Sequence, residues 1–333
     1  MTTDTLCFGE LLLRFSTPGH ERFGQSGRLE VNFGGAEANV GVSLARFGHS
    51  VEMVSTVADD NPMAEALLAG LRMHGMGTSY VSRREGRMGA YFLETGAVRR
   101  PSRILYDRAH SAFAYSDPSE FDWDSLLNDV RIVHVSGITP ATGPGPAQAC
   151  QDLAAKCAER GIELSFDGNY REALWKSWDG DGPAILRNIL SNATIAFINE
   201  RDIALLLGTE REEREVAIKR AFEAFPRLKM VAATHRAQTS VSNQSIAGDL
   251  FTRSETYVSR AHELEGVVDR IGGGDAFAAG VLHCLLNERD PQYTIEFAMA
   301  AGAIKHSIPG DFNLTSVQEV EDAMNESGLD VRR

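Results

Sequence analysis

The 333-residue chain carries 33 Lys and Arg against 46 Asp and Glu, a formal net charge of −13, which argues against unassisted binding to nucleic acid or anionic membrane. With 43% hydrophobic and 24% charged residues it has ample material for a buried core, and no apolar run approaches the length of a membrane span. Cys7, Cys150, Cys157 and Cys284 lie in apolar segments without a Cys-x-x-Cys pair, and Met1-Thr2-Thr3-Asp4 lacks the basic and apolar regions of a signal peptide, so reduced core cysteines and a cytoplasmic location are expected.

From the N-terminus, Thr5 to Leu13 is a short apolar run, interrupted by Gly9-Glu10, that reads as a first buried strand. Residues 14 to 33 loosen into polar, glycine-bearing alternation, as in a small sheet with one wet face. Gly34-Gly35 opens a small-residue helix from Ala36 to Phe47, stopped at Gly48. A strand at Val51 to Val57 and a helix at Met63 to Met73 begin a β-α-β rhythm. The rhythm breaks between Gly89 and Ala112, where Ala90 to Glu94 and Ile104 to Tyr106 read as two strands around a polar connection. It resumes with a helix from Trp123 to about Val130, a strand at Ile132 to Val135 and a helix from Pro146 to Arg160. Strands are expected at Glu163 to Asp167, Ile195 to Asn199 and Met230 to Thr234, and helices at Pro183 to Leu190, Glu200 to Leu207 and Glu213 to Phe225. The last helices are expected at Ala276 to Leu286, Ile295 to His306 and Ser316 to Asn325, with Asp330 to Arg333 frayed.

This alternation predicts an α/β chain with a doubly wound, mostly parallel sheet, helices on both faces and ligands at the carboxyl ends of the strands. The two interruptions, residues 14–33 and 89–111, predict a β-sheet lid over a core of residues 1–13, 34–88 and 112–333.

Several phosphate-site patterns are missing: the G-x-x-x-x-G-K-[ST] loop, an early G-x-G-x-x-G and the H-R-D and D-F-G pair of protein kinases. No H-E-x-x-H or His and Cys cluster at ligand spacing appears. What stands out is Val267 to Gly280, where Gly272-Gly273-Gly274-Asp275 follows an apolar run and opens a helix. Free N–H groups at a helix start, with no Cβ in the way, make an anion site. Asp275 is then either a base beside a phosphate cradle or a helix-capping residue. His306, at a helix end, reads as a C-terminal cap with no catalytic role.

Gly34-Gly35-Ala36-Glu37-Ala38-Asn39 together with Asp269-Arg270-Ile271-Gly272-Gly273-Gly274-Asp275 resembles the paired signatures of the ribokinase, or PfkB, carbohydrate kinases. Phe166 to Trp175, Tyr106 to Ala109 and Lys305 to Asn313 are similar to the 2-keto-3-deoxygluconate kinase branch, and the likeness runs from Gly9-Glu10 to Val317. The resemblance implies a ribokinase-like fold and an ATP-dependent kinase acting on the 6-hydroxyl of 2-keto-3-deoxygluconate. Asp275 would be the catalytic base and the amides of Gly272, Gly273 and Gly274 the anion hole. Gly34, Gly35, Asn39, Tyr91, Tyr106, Arg108 and Arg171 would contact the sugar acid, the arginines offering forked donors to its carboxylate. Asn169, Asn199, Thr234 and Arg236 would contact ATP, and Asp202, where the family has Glu, would hold Mg²⁺ through water. A monovalent cation and pairing of copies through the lid are further family features. Arg236 stands in place of a usual glycine, and Met299 where some relatives carry Asn. Another acceptor (fructose, ribose or ketodeoxygalactonate) and a catalytically silent sugar-acid binder remain as alternatives; a nicotinamide dehydrogenase falls with the missing early glycine fingerprint.

Overall fold

The computed structural model describes residues 2–238, 240–241 and 243–325, so the expected fraying of Asp330 to Arg333 lies outside the described residues. A ten-stranded sheet runs through the molecule. From one edge its strands are Gly77–Arg84, Val51–Ala58, Thr3–Phe8, Val130–Ser136, Glu163–Asp167, Ile195–Phe197 and Met230–Gln238, each parallel to its neighbour. Gln244–Thr252 then pairs antiparallel, and Thr256–Val258 and His262–Leu264 both pair with it. The central strands read as near-continuous apolar runs because helices cover both faces. Leu6, Cys7, Phe8, Val133, Val135, Leu164 and Phe166 are all inaccessible to solvent.

Thr3–Phe8 is flanked by one strand from each direction of winding, which opens a crevice at the carboxyl ends of the strands. Helices Ala36–Arg46, Pro62–Met73, Gly273–Leu286 and Pro291–Lys305 pack on one face. Pro144–Arg160, Gly182–Asn192, Glu200–Leu207 and Arg214–Ala224 pack on the other. No helix among the described residues is long and apolar enough to cross a membrane.

A separate four-stranded sheet has the order Glu30–Gly34, Leu12–Ser16, Gly89–Glu94, Arg103–Asp107. The expected first strand, Thr5 to Leu13, is therefore two: Thr3–Phe8 belongs to the large sheet and Leu12–Ser16 to the small one. The break falls at Glu10, whose buried carboxylate accepts bonds from Arg108 and Ser111 and so turns the chain aside. Two further expectations shorten. The helix from Trp123 spans only Trp123–Leu126, and the strand at Ile195 ends at Phe197 because Asn199 caps the next helix. The edge strands Gly77–Arg84, Thr256–Val258 and His262–Leu264 and the antiparallel strand Gln244–Thr252 were not expected from the sequence.

Register assigns the faces of the small sheet. Leu13, Phe15, Val31, Phe33, Ala90, Phe92 and Leu105 share the outer face; Leu12, Arg14, Tyr91 and Tyr106 share the inner one.

Helix Gly273–Leu286 is buried nearly all round and packs against Pro291–Lys305 at Gly280, where an added Cβ would lie 2.6 Å from the Cα of Ala298. Gly280→Ala should therefore lower unfolding free energy by about 1–3 kcal/mol through overpacking, although helix propensity alone would raise it by about 1 kcal/mol. Urea melts decide the sign.

Candidate active site

The glycine turn is shaped from both sides. Gly272 has φ 82°, and a Cβ there would lie 2.1 Å from the carbonyl oxygen of Asp311, so only glycine fits. Asp269 fixes the approach to the turn: its Oδ1 accepts from the Ile271 amide at 3.0 Å, and its Oδ2 from the Gly310 amide at 3.0 Å and from Arg14 Nη2 at 2.6 Å. Gly274 faces open space and is exposed. Gly272, Gly274 and Asp275 bring this helix start to the cleft with room for an anion, while the expected Gly273 amide donates instead to the Arg270 carbonyl at 3.5 Å.

Asp275 makes no capping bond, and Gly272 occupies the cap position. Its carboxylate instead receives the side-chain amide of Asn39, Nδ2 to Oδ2 at 2.6 Å, which joins the two glycine motifs. Burial pushes its pKa up to about 6; the Asn39 bond opposes that rise and the charge of Asp311 adds to it. Among the described residues Asn39 Oδ1 has no hydrogen-bond partner, which leaves it available to a ligand hydroxyl.

A cleft of about 470 Å³ gathers most of the expected residues: Gly35, Asn39, Tyr91, Tyr106, Arg108, Asn169, Arg171, Asn199, Asp202, Thr234, Gly272, Gly274 and Asp275 all line it. Gly35 has φ 147° and an added Cβ would strike the Glu10 carbonyl at 2.4 Å. Gly34 and Gly273 are not on the cleft wall. The space beside Gly34 is taken by the Asp311 carboxylate, 2.3 Å from where its Cβ would be, so Gly34 admits that side chain. Gly273 is covered by the ring of His306, whose Nδ1 meets the Gly302 carbonyl at 2.7 Å.

Several expected contacts have other work. The Tyr91 hydroxyl donates to Asp311 Oδ2 at 2.5 Å, so its ring is a wall and its hydroxyl is spent. Asn199 caps helix Glu200–Leu207, accepting from the amides of Arg201 and Asp202, while Asp202 Oδ2 accepts from the Asn199 amide at 3.0 Å. Arg236 lies outside the cleft wall because strand Met230–Gln238 runs straight on past Thr234 and carries it away; Arg270 lines the cleft on that side. The Arg270 guanidinium donates to the carbonyls of Ser240 and Val241.

Arg108 is 2% exposed. Its Nε donates to Glu10 Oε2 at 2.6 Å, and its buried Nη1 has no hydrogen-bond partner among the described residues. Arg171 meets the lid at the mouth of the cleft, Nε to the Tyr106 hydroxyl at 3.3 Å. Asn169 donates from Nδ2 to Ser136 Oγ at 3.0 Å.

Sequence reasoning missed Asp167, Arg14 and Asp311. Asp167 ends a buried strand at the cleft, where burial and the charges of Asp275 and Asp202 push its pKa up to about 8. Its position at a strand's carboxyl end was the available signal. Arg14 sits on the inner lid face, 3% exposed, with Nη1 also 3.1 Å from Asp311 Oδ1. Burial works against its charge, but Asp311 and Asp269 hold it protonated. Asp202 also has a raised pKa, from burial first. The Asp202 charge adds to the rise at Asp167, an effect that a nearby cation would oppose. Among the described residues no three ligand side chains form a metal cage, so the donor set suits an ion that keeps water and phosphate oxygens, as Mg²⁺ does.

The arrangement places the Asp275 carboxylate beside a helix start that opens on the cleft, under the small sheet. It can accept a proton from a hydroxyl while that oxygen attacks a phosphorus whose charge the turn receives.

Residues 2–314 match the model of the pfkB family carbohydrate kinases. The 2-dehydro-3-deoxygalactonokinase of Haloferax volcanii is 28% identical over 99% of this chain and 100% of its own. The 2-dehydro-3-deoxygluconokinase of Thermoproteus tenax is 27% identical over 96% of this chain and 93% of its own. The solved 2-dehydro-3-deoxygluconokinase of Thermotoga maritima superposes with a TM-score of 0.90 at 34% identity, covering 97% of this chain and 99% of its own.

A base must be deprotonated to act, so kcat/KM should rise with pH through about 6. Asn39→Ala removes a bond that lowers the Asp275 pKa, and should move this acid limb up by about one unit. An unmoved limb in the pH profile would count against Asp275 as the titrating base.

Proposed function

The chain belongs to the pfkB family of carbohydrate kinases, and from that premise we propose that it transfers the γ-phosphoryl group of ATP to the 6-hydroxyl of 2-keto-3-deoxygluconate, giving 2-keto-3-deoxy-6-phosphogluconate. The observation that carries the choice of a sugar acid is Arg108, a buried guanidinium on the cleft wall, fixed by Glu10 and left with one unpartnered nitrogen. Arg171 adds a second cation at the mouth. A neutral sugar would give neither a carboxylate to pair with.

In this reading Asp275 Oδ accepts the proton of the 6-hydroxyl as that oxygen attacks the γ-phosphorus. The bond to the β-phosphate oxygen breaks, and ADP leaves with the electron pair. The amides at the start of helix Gly273–Leu286 receive the charge that spreads over the equatorial oxygens. Mg²⁺ bound with ATP would supply charge neutralisation, held through water by Asp202 with Asp167 nearby. Leu12, Tyr91 and Ile104 wall the cleft on the lid side and keep water from the transferring group.

A second reading, 2-keto-3-deoxygalactonate as acceptor, is favoured by the full-length likeness to the Haloferax enzyme. Coupled ADP release over both ketodeoxy acids, fructose, ribose and gluconate separates the readings. Turnover of neutral sugars alone would refute a sugar-acid kinase, and no ADP with any acceptor would point to a silent binder. Arg171→Gln, at an exposed site, should raise KM for the acid sugar about tenfold and leave kcat within about twofold.

Pairing of two copies through the lid belongs to the same proposal. Val31, Phe15, Phe92 and Leu105 lie opposite one another across all four lid strands on the outer face. Phe15 and Phe92 stack at 5.3 Å, and Val31 and Leu105 are 44% and 42% exposed. A second copy laid on this row would cover it. Light scattering should show a dimer that Leu105→Asp converts to a monomer; a monomeric parent would remove the idea.

A further inference from the structure

Lys305, the last residue of helix Pro291–Lys305, is 0% exposed. A buried ammonium is costly unless its donors are met. Here Nζ donates to the carbonyls of Ile308 and Gly310, each at 2.9 Å, and among the described residues no carboxylate touches it. Asp269, Asp311 and Asp275 act on it from further away and favour its charge, against burial. An ordinary helix-end lysine meets the last carbonyls of its own helix. This one reaches past the helix end and gathers the loop that follows.

That loop backs the glycine turn. The Gly310 amide holds Asp269, the Asp311 carbonyl lies against Gly272, and the Asp311 carboxylate holds Tyr91. Lys305 Cε is 3.1 Å from the point a Cβ on Gly272 would occupy. The ammonium therefore sits directly behind the amides that face the cleft, in a seat of backbone carbonyls. Such a seat is chemistry suited to a free monovalent cation, and NH₄⁺ and K⁺ are close in size.

We propose that Lys305 is a tethered monovalent cation: its ammonium holds the Ile308 and Gly310 carbonyls behind the glycine turn and fixes one positive charge beneath the transferring phosphoryl group, so turnover needs no free Na⁺ or K⁺. Lys305 touches neither substrate nor reacting atoms and is a positioning residue. The inference rests on residues 272–275 being the transfer site, not on which sugar is the acceptor. Loss of turnover in Asp275→Asn tests that premise separately, and the assay uses whichever acceptor the panel identifies.

The test has two arms. Turnover of the unaltered protein is measured with Mg·ATP in chloride salts of tetramethylammonium, Na⁺, K⁺ and NH₄⁺. Rates should agree within about twofold, and activation by K⁺ or NH₄⁺ of about tenfold or more overturns the proposal. In the second arm Lys305→Ala should lose about 100-fold in kcat with sugar KM within about threefold, the scale expected for weakening an anion hole. At least tenfold of that loss should return with about 0.1 M NH₄⁺ or K⁺ and not with tetramethylammonium. An undiminished kcat, or a loss that no small cation repairs in a variant melting like the parent, overturns it. The first arm needs no variant and decides alone if Lys305→Ala does not fold.

Discussion

One guanidinium, that of Arg14, is kept charged out of water, and the two carboxylates that hold its charge tie the lid to the glycine turn. Burying a charge costs several kcal/mol unless partners replace its hydration. Arg14 finds Asp269 and Asp311, and those carboxylates are in turn bonded by the Ile271 and Gly310 amides and the Tyr91 hydroxyl. Two lid strands supply Arg14 and Tyr91; the core supplies the rest. The lid therefore cannot shift over the cleft without disturbing the residues that shape the glycine turn. The small sheet and the glycine turn are mechanically one unit in this geometry.

The cleft itself follows from winding. Parallel strands with crossover helices bring their carboxyl ends to one edge, and the reversal beside Thr3–Phe8 opens that edge. Helix Ala36–Arg46 and helix Gly273–Leu286 both start there, which is why Asn39 can reach Asp275 across 236 positions of sequence. Asp167 and Asp202 arrive at the same edge from the other half of the sheet. Burial raises the proton affinity of both, and at Asp167 the charges of Asp275 and Asp202 add to it, an effect that a nearby cation would oppose.

The sequence made the glycine turn, Asp275 and the sheet architecture readable because each is a local pattern: glycines before an apolar helix, or short apolar runs in alternation. It hid Arg14, because an arginine in a polar-alternating segment reads as solvent-facing and its partner Asp269 lies 255 positions away. Tyr91 was found but its hydroxyl was assigned to the substrate, since nothing local reveals that Asp311 claims it. Asn199, which the resemblance places on ATP, also spends its side-chain oxygen on capping the helix that follows it. Arg236 was placed by motif alignment, yet the continuing strand takes it out of the cleft. The edge strands escaped because they are short or polar on one side, and edge pairing is a tertiary property.

The pairing of Arg14 with Asp269 also says something about assembly. Nearly the first and nearly the last segments of the fold must meet before the site exists, whereas each β-α-β unit between them can form from neighbouring sequence. Contacts of such long separation form late and slowly. The glycine turn therefore takes its packed form only when residues near both ends of the chain have come together, and a chain lacking its C-terminal helices lacks the wall that shapes it.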